Sequence, residues 1–175
     1  KYIRSTAFHD DVDYFKNGIC LTGAEFMGQF TNDLKSFREK MFIFSAFLSM
    51  NQITRLLPYF DDAIAQGKII KVFTKDPSEW GQSVYYSNQN CVRLLKEHGV
   101  SVIYRGNMHE KVILIDDDVI WHGSLNALSF SGGTSEIMQR MESEEVHSKF
   151  VEGLDIKNLT ATLEKTEDNP NGDII

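Results

Sequence analysis

GNMHEKVILIDDDVIWHGSLNALSF, residues 106–130, sets His109 and Lys111 at the mouth of an almost wholly apolar run and follows that run with a Gly-Ser-x-Asn turn. KVILID and VIWHG are short and rich in β-branched residues. The acidic triplet Asp116 to Asp118 between them reads as a turn joining two strands. Side chains alternate faces along a strand, so His109 and Lys111 point the same way and bring an imidazole and an ammonium to one spot. Asp116 has the opposite parity and lies where the strand gives way to the turn. It is expected to be structural, in a turn or a salt bridge, and to stay out of that pocket. If 123–126 is extended, Ser124 and Asn126 also share parity, offering a hydroxyl and an amide donor to an anionic oxygen. Gly123 allows the backbone to approach closely there.

Outward from this stretch, strands and helices alternate. TGAEFMGQFTNDLKSFREK, residues 22–40, opens with a capping box of Thr22 and Glu25 and repeats Phe26, Phe30, Leu34 and Phe37 at helical spacing, which marks them as core. MFIFSAFLS, 41–49, fits a buried strand. Helical period returns through Ile53, Leu56, Phe60 and Ile64, with Pro58 expected to kink or split the helix and Gly67 to end it. KIIKVFT, 68–74, is another strand, and residues 74–90 read as a polar loop carrying Trp80, Tyr85 and Tyr86. A helix over 90–99 then closes on Gly99, and VSVIYR, 100–105, is a strand. Near the end, TSEIMQRME (134–142) supplies one more strand and SEEVHSKFVEGL (143–154) a helix capped by Ser143. This order argues for an α/β fold in which a mixed, largely parallel sheet is flanked by helices on both faces.

The 175 residues suffice for one sizeable core and are short for two. The expected layout is a lead segment over 1–20, a single domain over 21–155, and an acidic, flexible tail over 156–175. A start at Lys1 is expected of a processed product or a domain cut from a longer protein. The net charge of −7 is unpromising for a nucleic-acid partner, but it is unevenly spread. Residues 1–105 hold 13 Lys and Arg against 11 Asp and Glu, whereas 106–175 hold 5 against 14, leaving room for a basic groove. Cys20 and Cys91 stand far apart with no C-x-x-C and read as buried thiols, so no metal site and no cofactor is expected. No run approaches the roughly 18–20 apolar residues of a membrane span, and no apolar leader is visible, which points to a cytoplasmic protein with no membrane partner.

HEKVILID, 109–116, matches the H-x-K-x-x-x-x-D signature of the phospholipase D superfamily, and GSLN at 123–126 followed by Glu136 is similar to that family's downstream G-S-x-N and acidic residue. The order of strands and helices before His109 also resembles the family's nuclease-like members. WHGSLNALSF leading to EIMQRMES looks most like versions fused to helicase-type ATPases and restriction proteins. Family members bring two such motifs to one active site. The full signature occurs once in this chain, so the resemblance implies a homodimer with the site shared across a twofold axis.

The resemblance further implies that His109 of one subunit attacks phosphorus to form a phosphohistidine while the partner subunit's His109 protonates the leaving oxygen, and that water then reverses the path. Lys111 and Asn126 would neutralise the non-bridging oxygens. Glu136 would accept the other ring N–H of a histidine. No metal enters this scheme. Trp80, Tyr85 and Tyr86 either stack on bases or pack against the domain. Lys75 and Arg105, with Lys71 and Arg140, form a basic track or are scattered solvated charges. His122 is read as core or surface. A metal-independent nuclease is the expected function, set against a non-catalytic nucleic-acid-binding or dimerisation module of a larger helicase or restriction protein. A lipid phosphodiesterase is the other alternative, although the chain shows no Lys- and Arg-rich amphipathic helix to hold it on a bilayer.

Overall fold

The computed structural model describes residues 18–159, so most of the expected lead and tail lies outside the described residues. Within them the order is β1 (Ile19–Thr22), α1 (Gly23–Ser36), β2 (Lys40–Ser45), α2 (Met50–Ala65), β3 (Ile69–Lys75), a 3-10 turn (Pro77–Glu79), α3 (Gln82–Glu97), β4 (Ser101–Arg105), β5 (Lys111–Ile115), β6 (Val119–Gly123), β7 (Ile137–Glu142) and α4 (Glu144–Gly153). The strands form one seven-stranded sheet in the order β1-β7-β6-β5-β2-β3-β4.

Alternation along the strands makes two cores. Met41 and Ile43 of β2, with Ile113 and Ile115 of β5, pack under Phe26, Phe30, Ile53, Leu56, Phe60 and Leu95 from α1, α2 and α3. Phe44, Val112, Leu114 and Ile120 face the other way, toward Phe150 and Val146 of α4. Helices thus cover both faces, and of the two outcomes expected at Pro58 the split does not occur, because α2 runs through it as one helix. Its ring lies on the exposed side. Ile53, Leu56 and Phe60, fully buried on either side of it, outweigh the roughly 3 kcal/mol an interior proline costs. Gly67 and Gly99 end their helices at φ of 79° and 77°, a left-handed conformation that suits glycine.

The sheet is mixed, but its balance differs from the expectation of a largely parallel one. Only β2·β3 and β3·β4 pair in parallel, joined through the crossover helices α2 and α3. The pairs β2·β5, β5·β6, β6·β7 and β1·β7 are antiparallel. β1 begins at Ile19, and Ile156 is only 3% exposed in the second core. Cys91 is buried as expected, whereas Cys20, on the edge strand, is exposed. One polarity follows from the pairing. The C-terminal ends of β2, β3, β4 and β6 and the N-terminal end of β5 all meet at one rim of the sheet.

Candidate active site

His109 stands on that rim in the short connection between β4 and β5. Met108, buried, pegs this connection to the core, and Asn107 turns the chain at φ 53° while its N–H donates to Glu79 Oε1 at 2.6 Å. The backbone N–H of His109 donates to Glu110 Oε2 at 2.8 Å, and Glu110 is held in turn by Arg105 at 3.2 Å. His109 is exposed on this fixed support. The Lys111 ammonium donates to the His109 carbonyl at 2.7 Å and lies 3.3 Å from its Nδ1. Burial pushes the Lys111 pKa below the usual lysine value and Lys75 adds to this, while the Glu136 and Glu110 carboxylates act against it.

Ser124 and Asn126 leave β6 beside this pair. Gly123 is required where the strand ends, because a Cβ there would lie 2.2 Å from the Ile137 carbonyl oxygen and 2.9 Å from Met138 Sδ. The Ser124 hydroxyl donates to Glu136 and accepts from the Ile137 N–H at 3.1 Å, so it clasps the end of β6 to the start of β7. The Ser124 hydroxyl is thus engaged within the chain, and the Glu136 carboxylate takes the Ser124 and Thr134 hydroxyls. Asn126 Oδ1 accepts the Ala46 N–H at 3.0 Å, which leaves its NH2 group to face elsewhere. The turn carrying it is fixed by Ser45, whose hydroxyl accepts from the Leu128 N–H, and by buried Gln52, whose amide donates to the Ala127 carbonyl at 3.1 Å.

A cleft of about 500 Å³ opens beside these groups, lined by His109, Lys111 and Ser124 together with His122, Phe150 and Leu154. His122, read from the sequence as core or surface, is half-buried and lines this cleft, and its parity with Ser124 across Gly123 is the signal that points there. Nothing local to the sequence announced Phe150, which comes from the helix beyond β7. A smaller cavity of about 180 Å³ opens at the opposite rim among Asp33, Arg38, Asp116 and Arg140. Its charges pair with one another. Asp116 accepts the backbone N–H groups of Arg38, Glu39 and Lys40 at 2.9, 2.8 and 3.2 Å as well as Arg38 Nε at 3.2 Å.

The remaining candidates divide. Lys75 ends β3 on the active rim, 5.1 Å above the Phe47 ring. Arg105 is tied to Glu110 and to the Leu154 carbonyl, and Arg140 is withdrawn into a buried pair with Asp33. Trp80 is only 9% exposed and packs edge-on against Tyr85 and Tyr104, so its indole offers no open face, whereas Tyr86 is 77% exposed. A second His-x-Lys, His147 to Lys149, lies on α4 rather than on a strand, and His147 is buried. Among the described residues, no group of three or more His, Cys, Asp or Glu side chains could hold a metal ion, and no helix is long and apolar enough to cross a membrane.

Residues 30–155 match the family model described as "Cardiolipin synthase, PLD-like domain". No curated protein matches the sequence. Among solved structures, the chain is similar to a phospholipase D family member, Nuc, from Salmonella typhimurium, at 16% identity and TM-score 0.61, covering 81% of this chain and 94% of that one. It is similar to NucT from Helicobacter pylori at 16% identity and TM-score 0.61, covering 82% of this chain and 95% of that one. Phosphatidylserine synthase of Haemophilus influenzae shares the fold at 12% identity and TM-score 0.61, covering 80% of this chain and 36% of that one.

Proposed function

Because the chain belongs to the PLD-like domain family of cardiolipin synthases, within the phospholipase D superfamily, we propose that it hydrolyses phosphodiesters in nucleic acid, with His109 as nucleophile and a second copy of the chain completing the site. The observation that carries this reading is the placement of His109 and Lys111 together in the lining of an open cleft, the ammonium beside the imidazole and donating to the His109 backbone carbonyl. A phosphate entering the cleft gives Lys111 a stronger acceptor than a neutral ring nitrogen. The His109 Nδ1 can then carry the proton, and Nε2 attacks phosphorus. The partner subunit's His109 protonates the leaving oxygen, and the same residue later takes a proton from the water that opens the phosphohistidine. Lys111 and the Asn126 NH2 stabilise the charge that grows on the non-bridging oxygens. Glu136 serves as a counter-charge to Lys111 and, through Ser124, as a brace for the turn.

Lipid phosphodiesters are the second reading, favoured by the apolar stretch of Val112, Phe150 and Leu154 in the cleft. One set of assays separates the possibilities: single- and double-stranded oligonucleotides and phosphatidylglycerol vesicles, each in EDTA, with wild type and His109→Ala. Oligonucleotide cleavage that persists in EDTA and falls about 100- to 10,000-fold in the variant is the expected result. Strict dependence on added magnesium overturns the histidine mechanism. Cleavage of the lipid alone moves the substrate to the second reading, and nucleic-acid binding without cleavage makes the chain a binding module. Subunit exchange with excess His109→Ala should poison wild-type activity. An active monomer overturns the shared site.

A further inference from the structure

The lining of the cleft is of two chemical kinds, and the proposed chemistry uses only one of them. His122 pairs with Val112 on one side and Gln139 on the other in the sheet register, so its side chain leaves β6 on the α4 side. There its ring meets Phe150 of α4 with centroids 5.7 Å apart and planes inclined at 36°. Both rings are half-buried, and both line the cleft that His109 and Lys111 also line. Val112 and Leu154 floor the space beside them, while Glu110 and Ser124 put polar atoms along its border.

We infer that His122 and Phe150 form a base-binding subsite, which takes the flat face of the nucleobase next to the phosphate held at Lys111. This rests on the nucleic-acid reading above and gives that site its recognition element. Paired rings offer a stacking face to any base regardless of sequence. Polar groups bordering the floor suit a base, which has a hydrogen-bonding edge, better than an acyl chain, which has none. The cleft's volume of about 500 Å³ falls in the range of sites that enclose a single small-molecule-sized group. Burial holds the His122 pKa below the ordinary histidine value, with a hydrogen bond to the Gln139 side chain acting against it, which favours the neutral ring suited to stacking.

The test compares oligothymidylate with an abasic oligomer of the same length and backbone, using wild type, His122→Ala and His122→Phe. Wild type should cut the abasic oligomer with a KM roughly tenfold higher than that for oligothymidylate, the size expected of one stacked base. His122→Ala should collapse that ratio to near one, and His122→Phe, which keeps a ring, should restore most of it. Phe150→Leu, which keeps apolar volume but removes the second ring, should lower the ratio in the same direction. If wild type cuts oligothymidylate and the ratio is unchanged in His122→Ala, the subsite is wrong while the nuclease reading stands. If the variant loses kcat equally on both oligomers, the ring acts on chemistry or folding and the subsite is again wrong. If wild type cuts neither oligomer but hydrolyses phosphatidylglycerol, the nucleic-acid reading fails and takes the subsite with it.

Discussion

Asn126 can offer a phosphate only a donor, because its oxygen is fixed by the Ala46 N–H at 3.0 Å. Asn126→Ala and Lys111→Ala should therefore each lower kcat about 100- to 1,000-fold on a cleavable phosphodiester, the cost of losing one preorganised donor. Asn126→Asp should be worse than Asn126→Ala, since it keeps the acceptor for Ala46 but turns a like charge toward the substrate. Thermal unfolding of the same variants provides the control, and a melting temperature that falls in step with activity would make these residues structural instead. The closeness of His109 and Lys111 was legible from their spacing at one strand end, although β5 begins only at Lys111 and His109 stands in the connection before it. The clasp of Ser124 on Glu136 was not. It joins residues twelve apart whose meeting depends on how β6 pairs with β7, a long-range fact that no local period encodes.

At the level of the element, Gly123 is where local sequence and tertiary structure agree most closely. The chain needs a residue without a side chain there because β7 crosses within 2.2 Å of where a Cβ would stand. Gly123→Ala should cost about 3 kcal/mol or more, the upper end of overpacking losses, and should release Ser124 and Asn126 from their positions. Urea unfolding measures the first effect. A variant as stable as wild type would show that the β6–β7 contact yields. The opposite lesson comes from α3, whose first two turns read as loop because they are polar and pack little. Its buried positions, Asn88, Cys91, Val92 and Leu95, begin only at the end of the second turn, and the helix extends N-terminally from that anchored part to Gln82. The aromatic residues of that stretch were visible in the sequence. That Trp80 turns inward while Tyr86 turns outward was not.

For the molecule as a whole, the balance of parallel and antiparallel pairing was out of reach of the sequence, because element order does not say which side of β2 the strand β5 joins. That choice determines which groups are buried, and among them is His147 on α4. Burial lowers the His147 pKa, the Asp117 carboxylate acts against the shift, and Lys40 reinforces it. The unfolded chain binds this proton near pH 6.5 while the folded chain resists it. Folding stability should therefore be intact above that pH and fall as pH drops through it, until the folded pKa is reached. His122 contributes with the same sign. His147→Leu should flatten the slope in denaturation experiments between about pH 7.5 and 5, and a slope equal to wild type would remove His147 from the account. The sheet order has a kinetic consequence as well. β5 is the fourth of seven strands, bonded on both sides, whereas β1 and β4 each have one neighbour. In deuterated solvent the amides of Val112 to Ile115 should exchange only when the whole domain opens, while those of Ile19 to Thr22 exchange by local fraying. Lys111, the proposed phosphate ligand, thus begins the strand expected to come undone last, so the edge strands can fluctuate locally while that position holds.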